Sequence, residues 1–108
     1  MKKQNRVHSH EEFSDIIHQH NCFKGQFASV YWVAKTEHRV RIGISVGKKN
    51  GGAVERVRIK RQVRALCDEL FQTDYPFDLI IIVKPGYKPE NRSAIREDLI
   101  QAITKIGD

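Results

Sequence analysis

The chain is poor in the features that mark several common protein classes. Its 108 residues include two cysteines, three prolines and one tryptophan, and no apolar run exceeds five residues. A membrane-spanning helix needs about 20 consecutive apolar residues, whereas Leu79–Val83 is the length of a strand. Cys22 and Cys67 are far apart and belong to no paired motif. This excludes a disulfide framework and suggests two reduced thiols, with Cys67 buried on a helix. No hydrophobic region opens the N-terminus, so the cytoplasm is the expected compartment. Internal repeats and low-complexity stretches are also missing. With 40% hydrophobic residues, the chain is too apolar to be wholly disordered, and its length suits one domain, residues 1–108, with one modest core.

Acid is the scarcest component of one particular stretch. Between Lys48 and Arg64 the only carboxylate is Glu55, against seven cations: Lys48, Lys49, Arg56, Arg58, Lys60, Arg61 and Arg64. The remaining residues hold twelve bases and twelve acids, so the whole net charge of +6 resides in this block. Charge spread evenly would suggest a solvated surface. Charge concentrated in one segment suggests a polyanionic partner, and a pI near 9.6 in a small domain makes nucleic acid the leading one.

Periodicity gives the order of elements. Ser9-His-Glu-Glu12 has the pattern of a capping box and predicts a helix to about His20, with Phe13, Ile16, Ile17 and His20 as its stripe. Asn21 and Gly25 break it. Phe27 to Ala34 alternates, as does Arg39 to Val46, and Lys35–His38 between them suits a turn. The two segments are expected to form an antiparallel pair, with Val40, Ile42, Ile44 and Val46 inward and Ala28, Val30, Trp32 and Ala34 facing the same core. Phe27 and Tyr31 then share the outer face with Arg39 and Arg41. Aromatics beside arginines suit stacking on unpaired bases and pairing with phosphates. The competing reading has the aromatics under a helix and the arginines merely solvated.

Gly47, Gly51 and Gly52 enforce a loop. From Ala53 the period becomes 3.6, and Ile59, Val63, Leu66 and Leu70 fall in one arc with Cys67 alongside. The cations occupy much of the remaining circle, and Val57 lands among them with no packing reason. Thr73–Pro76 ends this helix. Leu79–Val83 is apolar on both sides and therefore central in a sheet. Ser93 or Asn91 is expected to cap a last helix with the stripe Ile95, Leu99, Ala102, Ile103 and Ile106, and Gly107 stops it. The predicted class is α+β in the order α-β-β-α-β-α, with one more short strand near Cys22–Lys24.

Catalytic signatures are lacking. Gly47-Lys-Lys-Asn-Gly-Gly has neither the Gly-Lys-Ser/Thr ending of a Walker loop nor the spacing of a dinucleotide loop. Its backbone N–H groups, with Lys48 and Lys49, suit an RNA phosphate at the helix start; the bland reading is that the glycines only permit the turn. The histidine pairs His8/His10 and His18/His20 point apart on a helix and match no zinc spacing. No Ser-His-Asp or Cys-His arrangement is present, so neither a catalytic residue nor a metal ligand is assigned to the chain. A helix-turn-helix needs a helix before the basic one, where a strand stands instead.

The segment from Arg41 to Arg64 (RIGISVGKKNGGAVERVRIKRQVR) resembles the signature of the bacterial ribonuclease P protein subunit. In that family a strand ending in Ser-Lys-Lys leads to Gly, an Ala-Val pair, an Arg-Asn-Arg core, then Lys-Arg and a further Arg. Lys48, Lys49, Gly51, Ala53, Val54, Arg56, Arg58, Lys60, Arg61 and Arg64 all match in register. The resemblance extends along the chain through Arg6, Phe13, Tyr31, the later apolar strand and the closing helix. Four positions depart from the pattern. Val57 stands where the family has Asn, Gly47 where it has Ser, Ala65 where it is often acidic or amide, and His20 near a usual Gly.

The resemblance implies an α+β sandwich like the second domain of a ribosomal small-subunit protein, with a left-handed β-α-β crossover against the general preference. It implies a cofactor of an RNA enzyme that matures transfer RNA 5′ ends, an endonucleolytic reaction centred in the RNA subunit with Mg2+. The implied partners are the ribonuclease P RNA and precursor tRNA, with neither membrane nor DNA. Lys48, Lys49, Arg56, Arg58, Lys60, Arg61 and Arg64 should face the RNA subunit. Phe13 and Tyr31 match aromatics of a cleft for the 5′ leader, Ile17 takes a place often aromatic, and Phe27, Arg39 and Arg41 join that cleft by the face argument above. A non-catalytic RNA binder of the same fold, such as a ribosome-associated protein, is the alternative.

Overall fold

The computed structural model describes residues 21–34, 41–71 and 75–107. The expected first helix with Phe13 and Ile17, the Lys35–His38 turn, and Arg39 and Val40 lie outside the described residues. Four strands and two helices carry the rest: β1 (Cys22–Lys24), β2 (Ala28–Ala34), β3 (Ile42–Val46), α1 (Ala53–Leu70), β4 (Phe77–Val83) and α2 (Arg92–Gly107). Single 3₁₀ turns at Lys48–Asn50 and Pro89–Asn91 lead into the two helices.

The strands form one sheet in the order β1-β2-β4-β3. The expected β2–β3 antiparallel pair is not formed. β4 inserts between them, antiparallel to β2 from Ala28↔Val83 to Ala34↔Phe77 and parallel to β3 from Ile42↔Leu79 to Val46↔Val83. The physical reason is burial. Leu79, Ile80, Ile81 and Val83 are at most 2% exposed, and only a strand with a neighbour on each edge and cover on each face can bury an unbroken apolar run. Since β3 runs parallel to β4, the chain must cross over between them, and α1 is that crossover.

Both helices pack on one face of the sheet, against Ala28, Val30, Ile42, Ile44, Val46, Leu79, Ile81 and Val83. α1 contributes Ile59, Val63, Leu66 and Cys67, the stripe its periodicity predicts. Cys67 is fully buried and both cysteines are free thiols; burial pushes the Cys67 thiol far up from its ordinary pKa. α2 contributes Ile95, Leu99 and Ala102. It begins at Arg92, which puts Ser93 inside the helix and Asn91 just before it; the Asn91 side chain accepts from the Lys88 N–H and closes the preceding turn (3.1 Å).

Asp98 lies within the apolar stripe of α2 and is only 5% exposed. Its carboxylate accepts three backbone N–H bonds from the β1–β2 turn: Gln26 at 3.0 Å, Phe27 at 2.7 Å and Ala28 at 3.1 Å. The backbone passes so close that a Cβ at Gly25 would sit 2.4 Å from the Asp98 Cγ. Lys84 secures the same turn from the end of β4, through its N–H to the Phe27 carbonyl (2.8 Å) and its Nζ to the Gly25 carbonyl. Removing the carboxylate orphans three N–H groups next to the core. Asp98→Ala is therefore expected to lower unfolding stability by roughly 2–4 kcal/mol, read as a shift of the urea midpoint. Gly25→Ala should be destabilising by collision, with no polar group removed.

Candidate nucleic-acid interface

The loop between β3 and α1 sets where the cations stand. Gly51 adopts φ 128°, a conformation L side chains avoid, which lets the 3₁₀ turn of Lys48–Asn50 swing into the helix. The Asn50 amide donates to the Lys84 carbonyl (2.8 Å) and fastens the loop to the end of β4. The helix then starts at Ala53, with Gly52 as its N-cap and no side-chain cap, so its first N–H groups are not satisfied by a capping side chain.

The seven cations of this region are for the most part unpaired. Lys48, Lys49, Arg58 and Arg61 are exposed, and Arg56, Lys60 and Arg64 half-buried. Arg58 meets Glu55 at 3.8 Å, but both side chains are about half exposed or more, so the pair contributes little. Lys48, Lys49, Lys60 and Arg61 have no ion-pair partner among the described residues. Several cations elsewhere are held by partners. Arg96 meets Glu69 at 3.1 Å, Lys105 donates to the Cys22 carbonyl at 3.0 Å, and Lys84 is bound as described. The α1 surface therefore keeps a concentrated positive field available, at a cost in self-repulsion.

The sheet face turned away from α1 and α2 carries a second, smaller cluster: Ile80 with Tyr31, Val33 and Ile82 around it. Tyr31 is half-buried there. Two other residues expected on that face with free side chains behave differently. Phe27 packs against the main core and meets Tyr87 edge-on, ring centroids 5.8 Å apart. It precedes β2 in the turn held by Asp98, so strand alternation does not govern it. Tyr87 is buried behind it, its hydroxyl donating to the Gln62 Oε1, and burial raises its pKa. Arg41 is not merely solvated. Its N–H and its guanidinium both donate to the Asp78 carboxylate, at 3.0 and 3.1 Å, and Asp78 is 2% exposed. The pairing of Arg41 with an acid 37 residues away has no local sequence signal. Arg39, Phe13 and Ile17 lie outside the described residues.

Among the described residues no three of His, Cys, Asp and Glu converge so as to hold a metal ion, and none of the helices is long and apolar enough to cross a membrane. The geometry defines a class: a small α+β protein with a glycine-entered cationic helix and a separate aromatic-bearing sheet face.

Comparison with known proteins makes the class specific. The family model described as Ribonuclease P matches residues 1–107. The chain is 36% identical over 106 residues to the ribonuclease P protein component of Lactobacillus helveticus, across 95% of this chain and 87% of that protein. It is likewise 36% identical over 109 residues to that of Oceanobacillus iheyensis, across 99% and 90%. The solved Staphylococcus aureus RNase P protein superposes with a TM-score of 0.81 at 25% identity, covering 94% of each chain. The Thermotoga maritima RNase P protein, at 20% identity, a TM-score of 0.69 and coverage of 89% and 92%, shares the fold. The chain belongs to the ribonuclease P protein family, the protein component of a ribonucleoprotein endoribonuclease.

The two classes of arginine make opposite predictions. Arg41→Ala strands the buried Asp78 carboxylate and should cost roughly 2–4 kcal/mol of stability. Arg61→Ala removes an exposed, unpaired charge and should leave the urea midpoint within about 0.5 kcal/mol of the parent.

Proposed function

We propose that the chain binds the RNA subunit of ribonuclease P through α1 and its entry loop, and the 5′ leader of precursor tRNA along the sheet face bearing Tyr31. The whole chain then acts as one RNA-binding domain supporting endonucleolytic maturation of tRNA 5′ ends. The observation that carries this reading is the concentration of seven cations against the single carboxylate Glu55 between Lys48 and Arg64, on α1 and its entry loop, in a member of this family. Lys48, Lys49, Arg56, Arg58, Lys60, Arg61 and Arg64 are the contacts to the RNA subunit. Tyr31 is the described residue that stacks on the leader. Arg41 serves this site through Asp78, by fixing the edge of the sheet, and Phe27 through the packing of the β1–β2 turn.

The Mg2+ of the reaction is assigned to the RNA subunit, as the family resemblance implies. When bound there it supplies the charge stabilisation of phosphodiester cleavage. The protein's own part is electrostatic. Its cations lower the repulsion between two polyanions, so its effect is largest at low Mg2+ and declines as salt screens it.

Cleavage of a precursor tRNA by a bacterial ribonuclease P RNA at low Mg2+, with and without the chain, tests the proposal. Restored cleavage at the mature 5′ end is the expected result, and no stimulation overturns it. Arg58→Ala and Lys60→Ala should each weaken binding to the RNA subunit and lower the salt dependence of the binding constant by about one phosphate contact. Tyr31→Ala should weaken precursor binding by roughly 1–3 kcal/mol and spare mature tRNA; equal losses on both would remove the leader from this face.

A further inference from the structure

Two valines on α1 are exposed, and they are the only exposed large apolar residues among those described: Val54 at 74% and Val57 at 48%. They are three residues apart and so adjacent on the helix surface. At about 100° per residue they point away from Ile59, Val63 and Leu66, into the middle of the solvent face. With Ala53, Arg58 and Arg61 they line a shallow, open pocket of about 460 Å3. Among the described residues neither valine joins a hydrophobic cluster, and placing such residues at the centre of a cationic face gains nothing in solubility.

The occupant must satisfy both parts of the pocket. An apolar protein surface laid over the valines would desolvate two guanidinium groups, one with no partner and one weakly held by Glu55. Duplex RNA offers phosphates for the arginines, but its bases are stacked and paired, and the valines would meet sugar and water. An unpaired nucleotide offers both, an apolar base face and flanking phosphates. Val57 also stands where the family pattern has Asn. An amide at that position donates and accepts in the plane of a base or to a phosphate; a valine does neither and contributes only apolar contact.

We propose that Val54 and Val57 form the seat for one unpaired nucleobase of the RNA partner, held by apolar contact against the valine methyls while Arg58 and Arg61 take the phosphates on either side. This rests on the reading of α1 as an RNA-binding helix and goes beyond it, since it specifies an unstacked nucleotide where charge alone would accept any phosphate.

The test is binding of the folded chain to a bacterial ribonuclease P RNA and to a fully paired RNA duplex across a salt series. Both valines are exposed, so Val54→Ala/Val57→Ala should keep the parent's urea midpoint. It should lose about tenfold in affinity for the ribonuclease P RNA through the missing methyl contacts, with an unchanged salt slope and no loss on the duplex. Chemical probing should show one unpaired nucleotide protected by the parent and released by the double variant. Arg58→Ala/Arg61→Ala should lose affinity on both RNAs and flatten the slope. Undiminished affinity of the valine variant, or an equal loss on the duplex, overturns the seat while the arginine variant still upholds RNA binding. Normal binding by the arginine variant overturns the underlying RNA reading instead.

Discussion

The fold depends on the burial of β4. A strand apolar on both faces must be enclosed on every side, and the architecture described here is what enclosing it requires. β2 takes one edge and β3 the other, α1 and α2 cover one face, and Tyr31, Val33 and Ile82 gather around Ile80 on the reverse. The parallel relation of β3 to β4 in turn demands a long connection, and that connection is the helix carrying the cations. The functional surface is thus the outer side of an element the sheet needs for topological reasons.

This arrangement explains how α1 tolerates so much like charge. Its inward stripe of Ile59, Val63, Leu66 and Cys67 is buried almost completely, and that hydrophobic anchorage offsets the mutual repulsion of the cations on its outer side. The same logic explains why the pairing elsewhere is economical. Arg41 is held by Asp78 and Arg96 by Glu69, whereas Lys48, Lys49, Lys60 and Arg61 have no ion-pair partner among the described residues. A bound RNA would relieve the repulsion that the free protein retains.

What the sequence made legible was local. The start of α1 at Ala53, its buried stripe, the two-sided burial of Leu79–Val83 and the inward set Ile42, Ile44 and Val46 all follow from periodicity, and the structure agrees. Non-local choices were not legible. β2 and β3 are neighbours in the chain and look like a hairpin, and nothing in either says that β4 will come between them. Phe27 was placed by an alternation that stops one residue short of it. The partner of Arg41 lies on β4 and no spacing reveals it. Asp98 left a signal that could have been read: an acid three residues after Ile95 and four before Ala102 lies on the apolar stripe, and a carboxylate there needs several donors. The face of Val57 was readable, whereas the neighbouring Val54 stood out only once exposure was known.

The bond between Asp98 and the β1–β2 turn joins residues 70 to 72 positions apart. A ribosome making the chain from its N-terminus at roughly 5–20 residues per second delivers the turn seconds before the carboxylate that fixes it. For that interval Gln26, Phe27 and Ala28 lack the Asp98 carboxylate, and for most of it β2 has no β4 beside it. Stable assembly therefore waits for nearly the whole chain, a late and concerted closure. A nascent chain halted before α2 would have all four strands but leave the apolar face that α2 covers open and the β1–β2 turn unanchored, in a cell crowded with RNA.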